Sequence, residues 1–112
     1  MLFSITGEYT PQALNAMWDD PHTNRQAAAQ QLVEAAGGKL IAFYGRPIRG
    51  PGILAIFDVG DPDMAAAISA TVVSAGTLHH VEMTRLFTQD DIVRIRQKRR
   101  QIGGAYKPPG RA

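Results

Sequence analysis

The chain of 112 residues contains no cysteine, which removes disulfides, thiolate metal sites and cysteine nucleophiles from consideration. It has one tryptophan, and aromatics make up only 7% of its residues. No apolar run approaches the length of a bilayer span. There is no Gly-x-Ser-x-Gly elbow, no P-loop and no dinucleotide fingerprint, so nucleophilic and nucleotide chemistry lack a motif. The first residues, MLFSITGEYT, have no basic segment and meet Glu8 early. No export signal is expected, and the cytoplasm is the expected location. A further scarcity lies in the charge of the C-terminus. Residues 94–112 carry seven basic and no acidic side chains, a balance of +7, whereas residues 1–93 carry five basic and ten acidic, a balance of −5. An acidic body with a basic tail points to a tail that meets something negative.

What is present reads as one domain. Residues 2–9, LFSITGEY, alternate, with Phe3, Ile5 and Tyr9 on one side and Ser4, Thr6 and Glu8 on the other. Period two with aromatic and β-branched residues is a strand. Thr10-Pro11 caps a short helix, which 19-DDPHTN-24 interrupts. A second segment, RQAAAQQLVEAA, presents Ala28, Leu32 and Ala35 on one face before Gly37-Gly38. Strands follow at 39-KLIAFY-44 and 53-ILAIFDV-59, the latter apolar on both faces as if covered twice. Asp61-Pro62-Asp63 opens a helix with Met64, Ile68 and Val72 at helical spacing. A fourth strand runs from Leu78 to about Phe87, and Thr88 starts a last helix holding 94-RIRQKRR-100. The order is the βαββαβ of an α+β ferredoxin-like fold, an antiparallel sheet ordered 4-1-3-2 with an extra C-terminal helix. The expected division is a body over 1–93 and a basic helix and tail over 94–112.

Several stretches together carry a likeness. They are Tyr9-Thr10-Pro11, RQAAAQQL, 36-AGGKLIAFYG-45, Asp61-Pro62-Asp63, Ser74-Ala75-Gly76 and 84-TRLFTQDD-91. In their order and spacing the chain resembles the GYD-domain family of small bacterial proteins over roughly residues 3–93. The resemblance implies a ferredoxin-like fold of the dimeric α/β-barrel type, with two sheets facing one another. Relatives on that fold include small monooxygenases, lactone isomerases and haem-modifying enzymes, and fold alone does not choose among them. The family's Gly-Tyr-Asp triplet is replaced here, since Pro51 and Gly52 stand where Tyr and Asp are expected.

Strand parity supplies the candidate site. The first and fourth strands are neighbours, so Ser4, Thr6 and Glu8 face the same side as His80, Glu82 and Thr84. His80 with Glu82 or Glu8 is the candidate acid–base group, and Thr6 and Thr84 are candidate ligand contacts. Arg85 falls on the other face. His79 and His80 are adjacent on a strand, so alternation points them apart and no metal site is expected. The loop 45-GRPIRGPG-52 offers Arg46 and Arg49 to an anionic ligand, against the plainer reading of a turn. Met17 and Trp18 read as packing groups. In the basic run, Arg94, Arg96, Lys98, Arg99 and Arg100 are candidate partner contacts.

The leading expectation is a homo-oligomeric module with a ligand-binding or assembly role and no cofactor. The alternative is a cofactor-free monooxygenase-like or isomerase-like enzyme with its site in the dimer chamber. A third is a nucleic-acid accessory protein, or one that meets an anionic membrane, through the tail.

Overall fold

The computed structural model describes residues 1–110; Arg111, counted above in the basic tail, and Ala112 lie outside the described residues. The elements are β1 (Leu2–Tyr9), α1 (Pro11–Asp19), α2 (Arg25–Ala35), β2 (Lys39–Gly45), β3 (Gly52–Asp58), α3 (Pro62–Ser74), β4 (Leu78–Leu86) and α4 (Gln89–Ile102). A 3-10 turn, Gly103–Ala105, follows α4. The sheet order is β2-β3-β1-β4 with every pairing antiparallel. This is the expected α+β ferredoxin-like sheet.

Each helix begins at a residue built to cap it. Thr10 Oγ1 accepts from the Ala13 amide at 3.1 Å and donates to the Gly76 carbonyl at 2.5 Å. One hydroxyl thus starts α1 and ties it to the turn before β4. Asn24 accepts from Ala27 at 3.0 Å and starts α2. Asp61 accepts from Asp63 at 2.9 Å and starts α3. Thr88 and Asp91 form a reciprocal capping box at the head of α4, with each side chain accepting from the other's amide.

These bonds hold the Asp91 carboxyl below its ordinary value, the Thr88 amide being the main cause and the Arg94 charge a lesser one. A depressed carboxylate stabilises above its unfolded value and loses that contribution as pH falls through its folded value. The helical signal at 222 nm is therefore expected to fall below about pH 4, with Asp91→Asn already lower at neutral pH. An identical acid profile in the variant would remove this cap from the account.

The core lies on one face of the sheet. Phe3, Ile5, Ile53, Ala55 and Phe57 meet Val33 of α2 and Ala65 and Ile68 of α3. The rings of Phe3 and Phe57 stack with centroids 5.8 Å apart. Each of the isoleucine, valine and phenylalanine side chains contributes roughly 1.5–3 kcal/mol on burial.

Packing departs from the sequence reading in four places. The buried residue of α2 is Val33, while Ala35 is exposed. In α3 the inward positions are Ala65 and Ile68, and Met64 is exposed. Leu32 of α2 and Ile68 and Val72 of α3 pack on the core as expected. Trp18 does not pack but is 69% exposed at the end of α1. The fourth concerns β3, whose second apolar face is not covered within the chain: Leu54 and Ile56 are only half-buried.

The basic helix stands off the body. No residue of α4 is buried, and its substantial contacts are with the turn that follows it. The radius of gyration is 18.1 Å, against about 13 Å for a compact chain of this length. Among the described residues, no helix is long and apolar enough to cross a membrane.

Candidate functional site

The alanines of α2 leave a space that larger side chains would fill. A cavity of about 100 Å³ opens between the sheet and helices α2 and α3. Its walls include Ile5, Leu32, Phe43, Ile68, Val72 and Leu78. Ala28 and Ala29 form part of the helical side, and their methyl groups set the room available. An apolar cavity of about 150 Å³ holds a benzene ring. The space here is about two-thirds of that volume and is open at one side.

Its polar groups are few: Tyr9, Arg25 and Thr77. Tyr9 ends β1 on the helix face, and Arg25 is the first residue of α2. Burial pushes the Tyr9 phenol above its ordinary value of 10.0, and the nearby Arg25 guanidinium opposes that shift. Tyr9 is thus a neutral hydroxyl at physiological pH, and Arg25 is a fixed positive charge. A mainly apolar chamber with two hydroxyl-bearing residues and one cation suits a small molecule with an acidic or polar edge. Neither residue was singled out as a site group above. A tyrosine on the apolar side of a strand, with an arginine ahead of three alanines, was the available signal.

On the opposite face of the sheet, part of the expected polar strip forms. Ser4 stands opposite Thr84, and Thr6 opposite Glu82. Beyond Thr6 the register shifts, and Glu8 is opposite His79, not the anticipated His80. Two residues of β4, His80 and Val81, lie across from the single Gly7. His80 takes the left-handed conformation, with φ of 52°. This β-bulge breaks the alternation on which the separation of the two histidines rested. Their rings instead lie side by side, centroids 4.4 Å apart. Glu8, His79 and His80 each bring a potential ligand atom within 4.8 Å of the others. Glu82 and Thr84 are exposed and stand further along the strand.

The loop between β2 and β3 closes with the Arg46 amide donating to the Gly52 carbonyl at 2.8 Å. Arg49 then reaches across it, and its Nε donates to Glu8 Oε1 at 2.7 Å. The glycine- and proline-rich loop thus grips a carboxylate of its own chain. Arg85 lies on the helix face as expected, with its guanidinium over the rings of Phe87 at 5.2 Å and Phe3 at 6.0 Å.

On α4, Arg94 pairs with Asp91, while Arg96, Lys98, Arg99 and Arg100 are exposed. Ile95 and Ile102 are also exposed, at 44% and 70%. The arm therefore presents apolar as well as basic groups.

Comparison with known proteins follows the same lines. A solved structure of 5-chloro-2-hydroxyhydroquinone dehydrochlorinase (TftG) from Burkholderia phenoliruptrix AC1100, in complex with 2,5-dihydroxybenzoquinone, is similar with a TM-score of 0.56 at 17% identity. The match covers 80% of this chain and 97% of that one, and at that identity it shows a shared fold. NE2512, a protein of unknown function from Nitrosomonas europaea, matches with a TM-score of 0.42 at 18% identity, over 78% of this chain and 88% of that one. No curated protein matches the sequence. The GYD domain matches residues 3–95, nearly the whole body. The chain belongs to the GYD-domain family.

Proposed function

We infer that the protein is a cytoplasmic homo-oligomeric module that binds a single-ring, mainly apolar molecule with an acidic or hydroxylated edge. The observation that carries this reading is the cavity with Tyr9 and Arg25 among its walls. The ring would occupy the apolar interior, and its polar edge would meet the phenol and the guanidinium. The similar dehydrochlorinase holds a dihydroxybenzoquinone, a single ring with a hydroxylated edge. Binding in this cavity is favoured over catalysis at the polar strip because His80, Glu82 and Glu8 are not among the cavity's walls.

Titration with 2,5-dihydroxybenzoquinone and benzoate, followed by calorimetry, tests the reading. Both are expected to bind, and Arg25→Ala should weaken them about 10-fold, the scale of a lost charged hydrogen bond. Ala29→Leu should fill the cavity and abolish binding while the protein stays folded. Binding untouched by either substitution would reject the cavity as the site.

A second reading concerns assembly, and α4 favours it. An exposed helix with basic and apolar groups is suited to dock on the acidic body of a second copy, +7 against −5. The uncovered sheet face, with Leu54 and Ile56 half-buried and Tyr44 64% exposed, offers a complementary self-contact. Nucleic acid is the competing partner, and a gel shift lost with the tail would identify it.

A further inference from the structure

The bulge in β4 raises a separate question. A bulge residue in the left-handed conformation is usually glycine, because a Cβ there is strained. This chain carries His80 at that position, with φ of 52°. Histidine tolerates the conformation better than most residues, but it remains costlier than glycine. Strain that glycine would relieve, held at a residue able to bind a ligand, calls for a functional account. The consequence of the bulge is specific: it turns the His80 imidazole to the side of His79, beside Glu8.

We propose that Glu8, His79 and His80 form a binding site for a divalent transition metal ion of the zinc type. Two imidazoles and one carboxylate are the donor set that borderline ions take, and three protein ligands leave a position open. The donor atoms lie within 4.8 Å of one another, and Glu8 Oε2 is 3.8 Å from His79 Nε2. Donors around a tetrahedral ion are about 3.3 Å apart. Both histidines are exposed, so small side-chain rotations close the difference.

The other carboxylate oxygen explains the loop. Arg49 Nε donates to Oε1 at 2.7 Å and leaves Oε2 turned toward His79. A ligating carboxylate held by an outer hydrogen bond is pre-oriented for its ion. The guanidinium also offsets the carboxylate charge. The bound ion therefore keeps its positive charge, and its open position takes water or a small anion. This site lies on the open face of the sheet, behind the cavity, since Glu8 and Tyr9 are consecutive residues of β1 pointing to opposite faces.

The test is titration of the full-length protein with zinc by calorimetry and with cobalt(II) by visible absorption. One ion per chain is expected, with the intense visible bands of four-coordinate cobalt. His79→Ala, His80→Ala and Glu8→Gln should each weaken binding by more than about 100-fold, beyond the 10- to 100-fold that loss of an outer hydrogen-bond partner brings. His22→Ala, at the only other histidine of the chain, should leave it unchanged. His80→Gly is the decisive variant, because it should raise the melting temperature of the metal-free protein while abolishing the cobalt bands. Unchanged affinity in Glu8→Gln, or equal loss in His22→Ala, would overturn the three-ligand site. So would the weak spectrum of fully hydrated cobalt in the parent protein.

Discussion

Gly52→Asp, which places an aspartate where the resemblance leads one to expect it, is expected to destabilise the protein by on the order of 3 kcal/mol or more. A Cβ at position 52 would lie 2.2 Å from the Gly7 carbonyl oxygen, and 3.2 Å from both the Arg46 carbonyl and the Glu8 Cα. All three neighbours are backbone atoms. They belong to the β1–β3 pairing and the loop closure, so none moves without breaking hydrogen bonds. The melting temperature should fall by at least about 12–24 °C, at the usual 4–8 °C per kcal/mol for a domain near this size. Gly45→Ala supplies the control, since its nearest neighbour would be 4.0 Å away, and a change within about 0.5 kcal/mol is expected. A Gly52→Asp protein that melts with the parent would show that β1 and β3 do not approach as described.

Under the proposed assembly, deletion of residues 94–112 is expected to give a lighter species than the parent while leaving the body folded. The reason is the position of α4. It makes no substantial contact with the sheet or the other helices, so its removal takes little from the core. Its contribution would lie between copies. Sedimentation of the parent and the truncated chain measures the first effect, and thermal melting the second. Replacing Arg94, Arg96, Lys98, Arg99 and Arg100 with glutamine should weaken assembly most at low salt, where charges act over a Debye length of about 30 Å at 0.01 M. An unchanged mass after truncation would discard the arm as an assembly element. A monomeric parent would do the same.

The local signals in the chain were legible because their causes are local. Thr10, Asn24, Asp61 and Thr88 cap the helices that follow them. The alternation of Phe3, Ile5 and Tyr9 against Ser4, Thr6 and Glu8 places β1 correctly, with its apolar side toward the helices. Parity then brings Thr6 to Glu82 and Ser4 to Thr84 as expected. It fails two residues later, where β4 holds one residue more than β1. A rule of period two cannot foresee an inserted residue, and everything beyond the bulge changes face.

The amino-acid sequence by itself determined the elements, their order, the acidic body and the basic tail, since propensity, capping and charge act over a few residues. Tertiary structure alone decided the rest. The cavity is a deficit of volume between α2, α3 and the sheet, and no single segment contains it. The meeting of Glu8 with His79, His80 and Arg49 depends on a strand register and a loop closure between distant parts of the chain. Its physical origin is the left-handed turn at His80, which brings adjacent histidines to one side.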